Sequence, residues 1–344
     1  MKINNAFFNC VKGFLTVYLP KQKCCSKNTI KSYREAINLF RIFLLEEKNI
    51  PFTKITFELI NYDLVCSFLE WLQHTRKCSG STRNQRLAAL HAFFNYTAMQ
   101  DPTLMALYVK VRKVPVQKTG PRKVRYMTET ALKTILEQPN TAKRNGFRDR
   151  FFMILLYDTG ARVQELLDLK LKDFSLESST PFVYLTGKGD KTRAVPLLDK
   201  TVRHLNKYLT RFHPEAIRSN EQYLFYTVIK GDKGQMSVEN VASFLRRYGQ
   251  SAQQVCPEVP PRLHAHLFRH SRAMNLYQMG IPLPYIKDFL GHSDINTTDI
   301  YSKTNIDMMK EALEKVTESG NEQDIDIPVW RGDEDMILSL CGLK

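Results

Sequence analysis

Residues 264–301 read HAHLFRHSRAMNLYQMGIPLPYIKDFLGHSDINTTDIY. The pattern predicts one helix over roughly 266–279, a second over 283–290 and a third from 297 to 319. His266 and Arg269 stand three residues apart on the first, so both leave from one face and can hold one anion between them. His292 follows the Leu290-Gly291 break, and Tyr301 lies nine residues further on.

Two earlier stretches carry side chains of the same kind. In DTGARVQEL (158–166) an apolar helix over 147–157 breaks at Thr159-Gly160. Arg162 then starts a new helical turn, where backbone N–H groups face any nearby phosphate. In TGKGDKTR (186–193) strand-like runs flank a Gly-Lys-Gly-Asp-Lys turn, which predicts a β-hairpin with Lys188 between two glycines at its tip. Lys191 is the rival for the place of Lys188, and the flanking glycines favour Lys188. Arg193 reads as a surface or hairpin-stabilising residue, and His264 and His270 as structural neighbours. Tyr126, Tyr157 and Tyr248 are most simply core or interface aromatics. His266 and His270 have the i, i+4 spacing of a metal pair, but no third ligand or acid accompanies them and Arg269 would repel a cation. No Asp/Glu triad suits two-metal chemistry, so neither metal nor cofactor is expected.

The 344 residues give room for two domains, and the formal net charge of +15 points to a polyanionic partner. That charge is unevenly placed. Residues 1–125 hold 21 Lys and Arg against 7 Asp and Glu, whereas 126–344 hold 29 against 28, so the first part is built to hold phosphates. It reads as four or five helices. An apolar opening over 6–19 ends at Pro20, and a second helix starts from Ser26 or Asn28 and continues through Tyr33, Ile37, Phe40 and Leu44. A third spans 59–74, and a fourth begins near Ser81-Thr82. Lys27, Lys31, Arg34, Arg83 and Arg86 are its candidate DNA contacts. Residues 110–125, KVRKVPVQKTGPRKVR, contain two prolines, one glycine and no acid. They read as an extended basic linker that lays Lys118, Arg122, Lys123 and Arg125 along a DNA backbone. Beyond it, helices are expected over 128–137, 200–212 and 238–248. Seven scattered cysteines without a C-x-x-C pair fit a reducing cytoplasm, and no apolar run reaches the roughly 18 residues of a membrane span.

Taken together, Arg162, the Gly-Lys-Gly lysine Lys188, His266-x-x-Arg269, Leu-Gly-His292 and Tyr301 resemble the signature of the tyrosine recombinases, the lambda-integrase family. The resemblance implies that Arg162 and Arg269 bracket a scissile DNA phosphate, that His266 helps take the proton from Tyr301, and that Lys188 protonates the departing 5′-oxygen. His292 would donate to the phosphate, Glu165 would support the site by orienting a neighbour, and Tyr301 would form a 3′-phosphotyrosyl link.

The expected fold is mainly α with a small β-hairpin, arranged as a two-domain DNA clamp. Its parts are a helical core-binding domain (1–109), the linker (110–125), a mixed α/β catalytic domain (126–319) and a C-terminal tether (320–344). Because the first core-binding helix begins within the opening residues, the simple type without an arm-binding domain is expected, and the resemblance implies four protomers acting on inverted-repeat sites in double-stranded DNA through a Holliday junction. The free protein would be a monomer. The tether is acidic at Glu322, Asp324 and Asp326 and ends in an apolar piece, Met336, Ile337, Leu338 and Leu340, which can dock on a neighbouring protomer or fold back on its own. Integration and excision of a mobile element is the expected role. Chromosome-dimer or plasmid resolution, a type IB topoisomerase and an inactive DNA-binding protein remain alternatives.

Overall fold

The computed structural model describes residues 6–120, 125–187, 189–214, 221–229 and 231–291. The chain divides into two compact units, Met1–Arg122 and Lys123–Lys344.

The first unit is helical. α1 (Ala6–Gly13) continues into a π-helical segment, Phe14–Gln22, that carries Pro20 inside it. Pro20 therefore does not end the helix as the sequence suggested. The wider i→i+5 winding removes the clash between a proline ring and the carbonyl four residues back, and Phe14 and Leu19 stay buried on this segment. α2 (Lys27–Lys48), α3 (Tyr62–His74) and α4 (Gly80–Gln100) each begin at a side-chain cap. Ser26 accepts from the Thr29 N–H at 3.3 Å, Asn61 from Leu64 at 2.8 Å and Ser79 from Thr82 at 3.3 Å. The buried faces carry large aromatic rings. Phe40 meets Phe68 edge-on at 5.1 Å between centroids, and Phe93 meets Phe7 and Phe14 at 5.6 and 5.5 Å.

α5 (Met105–Arg112) overlaps the start of the segment expected to be extended. The reason is burial: Val111 and Val114 are core residues of this unit. The chain stays attached beyond them, since Asn84 and Gln117 exchange hydrogen bonds of 2.8 and 3.0 Å.

The second unit mixes helices with two small antiparallel sheets among the described residues, where the sequence led one to expect a single hairpin. α6 (Glu129–Glu137), capped by Thr128, precedes α7 (Arg144–Thr159) and the short α8 (Val163–Asp168). Three strands follow in the order β1 (Phe174–Ser175), β2 (Phe182–Thr186), β3 (Thr192–Pro196). Leu185 pairs with Arg193 and Thr186 with Thr192, so the β2–β3 turn is the hairpin read from the glycines. α9 (Asp199–Phe212), the hairpin β4 (Tyr226–Ile229) and β5 (Asp232–Gln235), and α10 (Val238–Val255) lead to α11 (Ala265–Gln278) and α12 (Leu283–Leu290). α7 packs against α9 and α11. Its buried Phe152 meets Phe225 and Phe244 at 4.8 and 5.7 Å. The expected helix over 297–319 and the segment 320–344 lie outside the described residues, as do Lys188, His292 and Tyr301.

Two glycines set the ends of the helices that meet at the site. Gly160 closes α7 at φ 57° and Gly291 closes α12 at φ 64°, both left-handed. A Cβ on Gly160 would lie 2.9 Å from Leu290 Cδ2 and 3.0 Å from Phe289 Cε1. Gly160→Ala should therefore destabilise the chain by about 1–3 kcal/mol, combining left-handed strain with overpacking. A lowered urea midpoint followed by far-UV circular dichroism checks this.

Candidate active site

The site grows from the break between α7 and α8. Arg162 precedes the first turn of α8, and Glu165, three residues on, reaches back to it. The Glu165 carboxylate accepts from the Arg162 backbone N–H at 2.9 Å and from Arg162 Nη1 at 2.7 Å. The N–H expected to face a phosphate is thus already taken by this side chain. Glu165 is nearly closed to solvent, with 3% of its side chain exposed, while Arg162 is 35% exposed.

Arg193 supplies the second cation. From β3 it places Nη2 2.8 Å from Glu165 Oε2 and Nη1 3.2 Å from Oε1, and its Nε donates to the Phe289 carbonyl at 2.9 Å. Its side chain is 13% exposed, so it is neither a surface residue nor confined to the hairpin. The sequence held a signal for this. Arg193 lies two residues before buried Val195, and alternation along the strand puts both on the inward face. Burial alone would raise the Glu165 carboxyl. The Arg193 guanidinium, the Arg162 N–H and the Arg162 side chain outweigh it and hold the group below its ordinary range.

Arg269 enters from α11 and is buried. Its Nη1 donates to the Gly160 carbonyl at 2.7 Å and its Nη2 to Leu290 at 2.6 Å. Arg162 Nη2 donates to Gly291 at 3.3 Å. Three guanidinium groups therefore meet on three consecutive carbonyls, Phe289, Leu290 and Gly291, at the C-terminal end of α12. That end is the negative pole of the helix, where cations are favourable. Gly187 joins the same cluster, because a Cβ added to it would lie 2.9 Å from Glu165 Oε1 and 3.5 Å from Arg162 Nη1. The residue before Lys188 is thus at the site, and the Gly187 N–H bonds to the Lys191 carbonyl across the turn at 2.9 Å.

His266 lies on α11 between His264 and His270, with ring centroids 6.5 and 6.4 Å away. Burial, then Arg269, His264 and Arg162, push its imidazole below the usual value, so it is neutral near pH 7 and able to accept a proton. Among the described residues no group of three His, Cys, Asp or Glu is placed to hold a metal, and no helix is long and apolar enough to cross a membrane.

Of the candidate DNA contacts, Lys27, Lys31 and Arg34 are exposed on one face of α2, and Lys118 and Arg125 are exposed. Arg83 Nη1 donates to Asn84 and to the Pro115 carbonyl, both at 3.2 Å. Arg86 is turned inward, 13% exposed, with bonds to the Ser32 carbonyl and to Glu35 at 3.2 and 3.1 Å, so it ties α4 to α2. Arg122 and Lys123 lie outside the described residues.

His270 gives a measurable consequence. Burial, then His266, Arg269 and His264, push it down to about 4, whereas an unfolded histidine titrates near 6.5. The unfolded chain then binds the proton first, so stability should fall as pH drops from about 6.5 to 4. His270→Asn should flatten that decline, read as the urea midpoint against pH.

The phage integrase family model matches residues 125–307, and the model of the phage integrase N-terminal SAM-like domain matches 11–101. The tyrosine recombinase XerD of Staphylococcus saprophyticus is 30% identical over 83% of this chain and 90% of its own length. The tyrosine recombinase XerA of Thermococcus kodakarensis is 34% identical over 72% and 80%. The fold is also that of the XerH site-specific recombinase in its post-cleavage complex with palindromic difH substrate. That structure has 24% identity and a TM-score of 0.65, covering 90% of this chain and 88% of the other.

Proposed function

The chain belongs to the phage integrase family, the tyrosine recombinases, enzymes that cleave and rejoin DNA, and we propose that it exchanges strands at a specific site through a 3′-phosphotyrosyl bond formed by Tyr301. The observation that carries this assignment is the meeting of Arg162, Arg193 and Arg269 on the end of α12, the helix that leads into His292 and Tyr301. Two of the three guanidiniums pair with the Glu165 carboxylate and Arg269 adds a third positive charge, leaving an excess for a bound phosphodiester.

In this scheme Arg162 and Arg269 hold the non-bridging oxygens with paired N–H donors. Their attraction grows as the pentavalent phosphorane gains one more negative charge than the diester. The Tyr301 hydroxyl attacks phosphorus and passes its proton to neutral His266. His292 donates to the phosphate, and Lys188 protonates the 5′-oxygen as its bond to phosphorus breaks. The phosphoester remains in the tyrosyl link, so a 5′-hydroxyl from another strand reverses the step without ATP. Lys27, Lys31, Arg34, Arg83, Lys118, Arg122, Lys123 and Arg125 would neutralise backbone phosphates, with Arg86 bracing the helices that carry the first of them.

The substrate we assign is a pair of inverted-repeat sites in double-stranded DNA, held by four protomers. Support comes from the palindromic DNA bound by the XerH relative in fold. The role is integration and excision of mobile DNA. Resolution of DNA dimers is the alternative, and the two differ in whether the sites used lie at the ends of an element or at one locus. Tyr301→Phe should abolish the covalent adduct on a nicked suicide duplex while DNA affinity changes less than about twofold; adduct formation by this variant would refute the assignment.

The apolar piece at 336–340 would dock on a neighbouring protomer. Removing residues 330–344 should then impair assembly of the four-protomer complex on DNA and recombination, while single-site binding persists. Unchanged assembly and recombination in a gel-shift and strand-exchange assay would exclude docking in trans.

A further inference from the structure

Arg193 is both nearly buried and fully bonded. A long cation with 13% of its side chain exposed is unfavourable unless it is fully paired, and this one is. Its Nη1 and Nη2 form a fork on the two oxygens of Glu165, and its Nε is given to the Phe289 carbonyl. Every nitrogen of its guanidinium is thus engaged inside the protein. Arg162, by contrast, gives Glu165 one side-chain nitrogen and remains a third exposed.

We infer that Arg193 is a positioning residue for strand cleavage: by neutralising Glu165 and holding the end of α12, it leaves the Arg162 guanidinium directed at the phosphate. The inference rests on the proposed function. Its physical content is a competition. Glu165 is buried and must be paired. Without Arg193, Arg162 is the remaining guanidinium bonded to it among the described residues. The carboxylate would then draw Arg162 into a two-point pair and away from DNA.

Two further contacts fix the geometry. Arg193 pairs with Leu185 across the β2–β3 ladder, so it ties the hairpin that carries Lys188 to α12. Its guanidinium lies close to Gly291, where an added Cβ would be 3.0 Å from Nη1 and 3.3 Å from Cζ. A lysine at this position offers one point charge and cannot span Glu165 and Phe289 together.

The test compares the full-length wild-type chain with Arg193→Lys, Arg193→Gln, Glu165→Gln and the Arg193→Gln/Glu165→Gln double variant. The probe is a nicked suicide duplex carrying the cleavage site mapped with the wild-type chain. Three quantities are read: the single-turnover rate of adduct formation, the affinity for uncleaved duplex, and the folded fraction by circular dichroism. Both Arg193 single variants should form adduct about tenfold or more slowly, with affinity within about threefold. Removing the carboxylate from Arg193→Gln should then restore part of the rate, because Arg162 is released.

Rates of both single variants within about twofold of wild type would overturn the inference. So would a loss of affinity as large as the loss of rate, which would make Arg193 a phosphate contact. A rate that only follows the folded fraction, with no relief in the double variant, would reduce Arg193 to a structural residue and also overturn it. Absence of any adduct from the wild-type chain would overturn the proposed function and this inference with it.

Discussion

Glu165 brings a negative charge into a place almost closed to water, and a carboxylate there is tolerable only when cations and N–H groups surround it. An unpartnered buried charge would be unfavourable by about several kcal/mol, enough to consume much of the stability of an ordinary domain. The protein meets this demand with two guanidiniums and a backbone N–H. Each comes from a different place: Arg162 from the break before α8, Arg193 from β3. Satisfying one carboxylate therefore draws a helix start and a hairpin to one point.

The end of α12 completes the arrangement. Its last carbonyls have no partner within the helix, and arginines of three elements supply donors to Phe289, Leu290 and Gly291. Left-handed glycines make this approach possible, because Gly160 and Gly291 each lie against the other elements too closely for a side chain. The result is a positive pocket whose cations are oriented before any DNA arrives. Such preorganisation is what electrostatic catalysis requires, since dipoles need not turn during the reaction.

Much of this was legible because the chemistry-bearing residues sit at punctuation marks in the sequence. Thr159-Gly160, Gly187-Lys-Gly and Leu290-Gly291 announce breaks, and His266 and Arg269 share a helix face by spacing alone. The helices α7, α9, α11 and α12 were visible from their apolar runs and the breaks that bound them, although none begins at a side-chain cap. Short elements escaped. β1 has two residues and α8 six, too few to show a period, and the β4–β5 hairpin lacks a strong alternating pattern. Pro20 misled because a proline is read as an α-helix stop and the chain is π-helical there. Arg193 reads as a surface or hairpin residue in sequence because its partners Glu165 and Phe289 lie 28 and 96 residues away, and sequence order does not reveal that meeting. The bonds of Arg86 to the Ser32 carbonyl and Glu35 likewise join residues more than 50 positions apart, a meeting that sequence order does not show.

Positive charge works in two ways in this chain. In residues 1–125 it acts by number, with 21 cations against 7 anions, as suits release of counterions from a DNA backbone. In residues 126–344 the charges nearly cancel, 29 against 28, and the site is positive because folding brings three guanidiniums to the end of α12, two of them paired with one carboxylate. Salt acts unequally on these two arrangements. Exposed cations such as Lys27, Lys31 and Lys118 are screened within a Debye length of about 8–10 Å, whereas buried pairs are screened far less. Charge gathered by number and charge gathered around a single buried carboxylate are therefore separable properties of the chain, one set by composition and the other by folding.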